Sequence, residues 1–149
     1  MKKKQQEPKS QSPSEKSYAN RPLLDKLGVM PESRIALINI RDQFFLAQLE
    51  GRAADVSRGW PRKDSDLIFF VAESTAELKE LVSLRASLKP NGAIWVVYPK
   101  GRQDIREIAV IAAAERAGLV DNKVVRFSDT HTALRLVIPL AKRESSPPS

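Results

Sequence analysis

A chain of 149 residues with 42% apolar side chains is the size of one domain and holds enough apolar material for one core. It contains no cysteine, which excludes disulfides, thiolate metal sites and cysteine-nucleophile or redox chemistry, and points to a reducing cytoplasm. The net charge of +7 belongs mostly to the ends: residues 1–21 carry six Lys/Arg against two Glu, whereas residues 22–141 carry seventeen against fifteen acids.

Residues 1–20 are rich in Lys, Gln, Ser and Pro, a composition that buries too little apolar surface to offset the entropy of ordering, so a disordered basic tail is expected. The Met1-Lys2-Lys3-Lys4 start has no apolar stretch behind it, and a signal peptide is not expected. Pro22–Leu27 reads as a short helix stopped by Gly28. Arg34–Ile40 reads as a first strand, and Asp42 as the cap of a helix over Gln43–Glu50 with Gly51 as its stop and Phe45 and Leu49 on one face. A short edge strand near Ala53–Val56 and a loop through Gly59-Trp60-Pro61 follow. Leu67–Ala72 is apolar throughout, as a strand covered on both faces should be.

Ser74 and Glu77 have capping-box spacing, and Leu78, Leu81, Val82 and Leu88 recur at helical intervals until Pro90-Asn91-Gly92. Ala93–Tyr98 is a third buried strand. Asp104 and Glu107 repeat the capping-box spacing ahead of a helix whose apolar face is read as Ile105, Ile108, Ala109, Ile111 and Ala112, running up to Gly118. Lys123–Phe127 and Thr132–Leu140 are expected to pair as an antiparallel hairpin, and residues 142–149 to form a second disordered tail. One α/β domain over residues 21–141 results, a three-layer sandwich with a mostly parallel sheet and an antiparallel C-terminal strand pair. Its longest apolar runs fall far short of the roughly 20 residues that span a bilayer.

The strand at Asp66, the capped helix, the Leu88-Lys89-Pro90-Asn91-Gly92 turn into Ala93–Val97, and Ala117-Gly118-Leu119 before a terminal strand pair resemble the second half of class I methyltransferase domains, a Rossmann-like fold. Pro22-Leu23-Leu24-Asp25-Lys26-Leu27-Gly28, Trp95-Val96-Val97-Tyr98-Pro99-Lys100 and Gly118-Leu119-Val120-Asp121-Asn122-Lys123-Val124 together resemble a bacterial family known as domain of unknown function 3052. The resemblance implies a methyltransferase-like fold without an established reaction. That family usually has a tryptophan before Leu134-Arg135, where this chain has His131.

Enzymes that bind dinucleotides or S-adenosylmethionine place glycines in the turn after the first strand, so that backbone approaches the ligand closely. Here the turn is Asn39-Ile40-Arg41-Asp42-Gln43-Phe44-Phe45, which has no glycine. Its two aromatics are expected to fill the site, and no cofactor and no metal are expected. Lys100 and Arg102, at the end of the third strand, are candidates to hold a small anionic ligand together with Asn39 and Asp42; a solvated basic loop is the simpler reading. His131 is the only histidine, so a two-His metal site is excluded, and without a serine-base motif a triad is unsupported. It reads as a residue of the final hairpin, with lone acid–base chemistry as the alternative. Asp121-Asn122-Lys123 reads either as a functional polar cluster or as an Asx turn, and Trp60 among Arg58, Arg62 and Lys63 as a packed side chain in an ordinary loop, with stacking on a base or contact with a surface as the alternative. The expectation is a non-catalytic or cryptic module that binds a ligand or a protein partner. The alternatives are a divergent methyltransferase-type transferase, and a tether to nucleic acid or an anionic surface, for which only the basic tail is suited.

Overall fold

The structure is a computed structural model that describes residues 22–144. The expected tail over residues 1–20 lies outside the described residues. Within them Leu23–Lys26 forms one helical turn, α1, after which Gly28 turns the chain away at φ 77°. The strands are β1 (Arg34–Ile38), β2 (Asp55–Arg58), β3 (Ser65–Val71), β4 (Leu88–Pro99), β5 (Val120–Arg126) and β6 (His131–Val137). The helices are α2 (Gln43–Arg52), α3 (Leu81–Arg85, entered through a 3-10 segment Thr75–Glu80), α4 (Glu107–Arg116) and α5 (Leu140–Glu144).

All six strands join one sheet in the order β2-β1-β3-β4-β6-β5. The first three pairings are parallel, β1 with β2, β1 with β3 and β3 with β4, while β6 runs antiparallel between β4 and β5. Parallel neighbours require crossover connections, and these supply the helices that cover the sheet. Alternation along the central strands divides the core into two layers. Ile68, Phe70, Ile94 and Val96 pack with Leu78, Leu81, Leu84, Val110 and Ala113 on the α3/α4 side. Leu67, Phe69, Trp95 and Val97 pack with Leu24, Leu27, Phe45, Leu46 and Leu49 on the α1/α2 side. Trp95 is fully buried, and its indole N–H donates to Leu27 O at 3.0 Å, which ties α1 to the middle of the sheet.

Several expectations are corrected by packing. Gly51 lies inside α2, which continues to Arg52. The side chain of Ser74 makes no capping bond; Glu77 Oε1 instead accepts from the Glu73 N–H at 2.9 Å, and Val82 faces solvent. Pro90-Asn91-Gly92 lies within β4 rather than ending a helix. Ser65 pairs with Leu88 and Leu67 with Ala93, so the extra residues bulge out of the ladder. Gly92 is required at this bulge because a Cβ there would stand 2.8 Å from Asp66 O. Asp104 does not cap α4: Arg102 engages both of its oxygens, and the helix starts two residues later, after Arg106. The buried face of α4 is accordingly Val110, Ala113 and Ala114, with Ile108 exposed. Asp121-Asn122-Lys123 belongs to β5, with a bulge in place of the expected turn. α5 runs to Glu144, with Lys142 N–H donating to Pro139 O at 2.9 Å at its start, so helix occupies the first residues of the stretch 142–149 expected as a second tail; the rest of that stretch lies outside the described residues.

Candidate functional site

The strand order reverses at β1: the chain moves to one side of it for β2 and to the other for β3. In open parallel sheets the crevice beyond the carboxyl ends of the strands at such a switch point is where ligands bind. Here the crevice is a cleft of about 510 Å³, bounded by the turn after β1, the segment after β3 and the β5–β6 turn.

Asn39 ends β1 with φ 64°, the left-handed region that asparagine tolerates better than other residues bearing a Cβ. Its Nδ2 donates to Val71 O at 3.4 Å and so links the carboxyl ends of β1 and β3. Asp42 caps α2, Oδ1 accepting from Phe45 N–H at 3.1 Å, as its position ahead of the helix predicts. The capped turn directs Phe45 into the core, where its ring meets Phe69 edge-on at 5.5 Å and Phe127 at 4.8 Å. Phe44, one position earlier, is 74% exposed. The pair of aromatics therefore does not fill the site. One supports it from below, the other points to water, and the cleft stands open above them.

Of the four residues expected to hold a ligand, Asn39 and Asp42 line this cleft, and Lys100 and Arg102 do not. Lys100 is exposed, with its backbone N–H donating to Thr130 O at 3.0 Å. Arg102 is occupied: Nη1 donates to Glu73 Oε1 and Nη2 to Glu73 O, each at 3.2 Å, and Nη2 also donates to Asp104 Oδ2 at 2.6 Å. The hydrogen bond from Arg102 holds the Asp104 carboxyl below the usual carboxylate range. A guanidinium already engaged by two carboxylates has little left to offer an anion.

Sequence reasoning missed the carboxylates and hydroxyls of the cleft: Glu73, Glu77, Ser128 and Thr130 line it together with His131. Glu73 Oε2 and His131 Nε2 are 3.1 Å apart, although the residues are separated by 58 positions in the chain. The available signal was Glu73's place just past the carboxyl end of β3. What could not be read is that the hairpin folds back across β4 to bring His131 beside it. A second, more apolar cleft of about 420 Å³ adjoins the first and shares Asn39 and Glu77 with it. Trp60 lines this second cleft and is 54% exposed, so it is not the packed loop residue expected. At the end of β2, where dinucleotide folds carry an acid for the ribose, Arg58 stands instead, paired with Glu50 at 3.3 Å. Among the described residues no group of three or more His, Cys, Asp or Glu is arranged to hold a metal ion, and no helix is long and apolar enough to cross a membrane.

Solved structures show the same architecture. A SAM-dependent methyltransferase from Aquifex aeolicus superposes with a TM-score of 0.61 at 16% identity, covering 78% of this chain and 88% of its own. The ribosomal protein L11 methylase of Lactobacillus delbrueckii subsp. bulgaricus gives 0.52 at 13% identity, covering 77% and 74%. The fibrillarin pre-rRNA processing protein of Methanococcus jannaschii gives 0.50 at 11% identity, covering 74% and 68%. At such identities the likeness is one of fold. No curated protein sequence matches the chain. The family described as "Protein of unknown function (DUF3052)" matches residues 48–140, well over half of the sequence. With that match and this strand order, the chain belongs to the DUF3052 family and has a Rossmann-like class I methyltransferase fold.

Proposed function

We propose that this domain is a binding module that uses the switch-point cleft for a small polar ligand and does not carry out methyl transfer with S-adenosylmethionine. The observation that carries the reading is the turn after β1. Asn39 occupies the left-handed position with a side chain attached, and that side chain is spent on tying β1 to β3. A cofactor that needs bare backbone at this point meets an amide instead. Arg58 at the end of β2 supports the same conclusion, because a cation there does not accept hydrogen bonds from a ribose diol. The residues present do not fit the usual cofactor. What remains is an open cleft with polar groups converging from three segments, the usual form of a ligand site.

One observation favours a second reading, a divergent transferase: Asn39 keeps the left-handed backbone that a glycine would otherwise supply, so the path of the turn survives without its glycine. Isothermal titration with S-adenosylmethionine separates the two. The binding-module reading expects no saturation at millimolar cofactor. Micromolar binding that Asp42→Ala abolishes would overturn it and favour the transferase. Loss of the cap costs about 1 kcal/mol, so the variant remains a usable control.

A further inference from the structure

One wall of the cleft carries a hydroxyl, an imidazole and a carboxylate in hydrogen-bonding sequence. Thr130 Oγ1 is 2.8 Å from His131 Nδ1, and His131 Nε2 is 3.1 Å from Glu73 Oε2. An ionised carboxylate only accepts, so Nε2 carries the hydrogen that faces Glu73; in the neutral ring this leaves Nδ1 as an acceptor for the Thr130 hydroxyl. The surroundings hold this line in place. Arg102 anchors Glu73 through Oε1 and the main-chain oxygen, Ser128 Oγ accepts from the Thr130 and His131 N–H groups at 3.3 and 3.2 Å, and Thr130 O accepts from Lys100 N–H. Arg41 lines the same cleft, and its guanidinium has no hydrogen bond or ion pair among the described residues. Thr130 itself is exposed.

We propose that Thr130 is an activated nucleophile that accepts an acyl group from an ester bound in the cleft, with His131 as its base and Glu73 as the positioning residue. Thr130 Oγ bonds to the acyl carbon while its proton passes to His131 Nδ1. The carbonyl oxygen becomes an oxyanion, which the free Arg41 cation stabilises. Collapse breaks the bond from the acyl carbon to the leaving oxygen, which departs with the proton from Nδ1 as an alcohol or phenol. Thr130 is left as an ester and His131 as the neutral ring. Water repeating the sequence releases a carboxylic acid and restores the hydroxyl. Nucleophile, base and orienting carboxylate are recognised here by geometry and role, as in triads on unrelated folds. The activity goes beyond the binding-module reading and does not depend on it, since reaction with a small ester and titration with S-adenosylmethionine are separate measurements.

The test is to incubate the full chain with p-nitrophenyl acetate, follow p-nitrophenolate release, and locate the acetyl group by peptide mass spectrometry. The expected result is acetylation of Thr130 that is absent in Thr130→Val and roughly 100-fold or more slower in His131→Gln, the scale of a lost general base. Glu73→Gln should lower the maximal acylation rate without changing the ester concentration that gives half of it, a split that mere loosening of the cleft would not produce. Circular dichroism checks that each variant is folded. Acetyl groups found only on amines, or on Thr130 at the same rate in His131→Gln, would overturn the proposal.

Discussion

The turn after β1 and the loop after β4 leave the sheet at the same end, and both carry charged residues where an α/β fold places ligands. They meet different fates. In the first, Asp42 commits one oxygen to capping α2 and Phe45 is buried beneath, which leaves Asn39 and Asp42 at the lip of an open cleft. In the second, Arg102 finds Asp104 two residues on and Glu73 across the sheet, and the loop neutralises itself. A cation at the carboxyl end of a strand marks an anion site only if no nearby carboxylate has already taken it.

Substitutions that act on one of these segments and spare the other sharpen the contrast. Phe45→Ala should have the largest effect, because it empties the support under the first turn between Phe69 and Phe127. A loss of about 3–5 kcal/mol in urea denaturation is expected, as for other buried phenylalanines. Asn39→Val comes next. A β-branched residue at φ 64° should lose about 1–2 kcal/mol in the same experiment, whereas Asn39→Gly gives up only a long hydrogen bond and should stay much closer to the parent. If both substitutions proved equally costly, the side-chain link to Val71 would matter more than the backbone conformation.

The smallest effect belongs to the second segment, through pH. Asp104 titrates below its ordinary value of 3.8 because Arg102 hydrogen-bonds to its charged form. A carboxyl depressed in the folded state contributes stability that is present above its unfolded value and is lost as pH falls through the folded one. Amide hydrogen exchange of residues 100–106 should therefore be unchanged from neutrality down to about pH 4 and, once corrected for intrinsic rates, should accelerate below it. Arg102→Ala should show the faster exchange at every pH and leave residues 39–45 unaffected. A loop whose protection ignores both changes would not be held by this ion pair.

Much of the architecture was legible because it rests on local chemistry. Continuous apolar runs such as Leu67–Ala72 and Ala93–Tyr98 have few homes other than a sheet covered on both faces, and Asp42 caps α2 through a bond to a residue only three positions on. The boundaries that failed were those a competing partner decided: Asp104 is engaged by Arg102 instead of capping α4, and Pro90–Gly92 is a bulge within β4 between Leu88 and Ala93, which pair with β3. The same division runs through the site. Sequence alone identified the glycine-free turn, because that property belongs to consecutive residues. Only the tertiary structure decided that the turn borders an open cleft, that Arg102 is spent, and that His131 lies between Thr130 and Glu73. Glu73 follows β3 and His131 begins β6, the strands on either side of β4, and their contact exists only once the antiparallel hairpin closes the sheet.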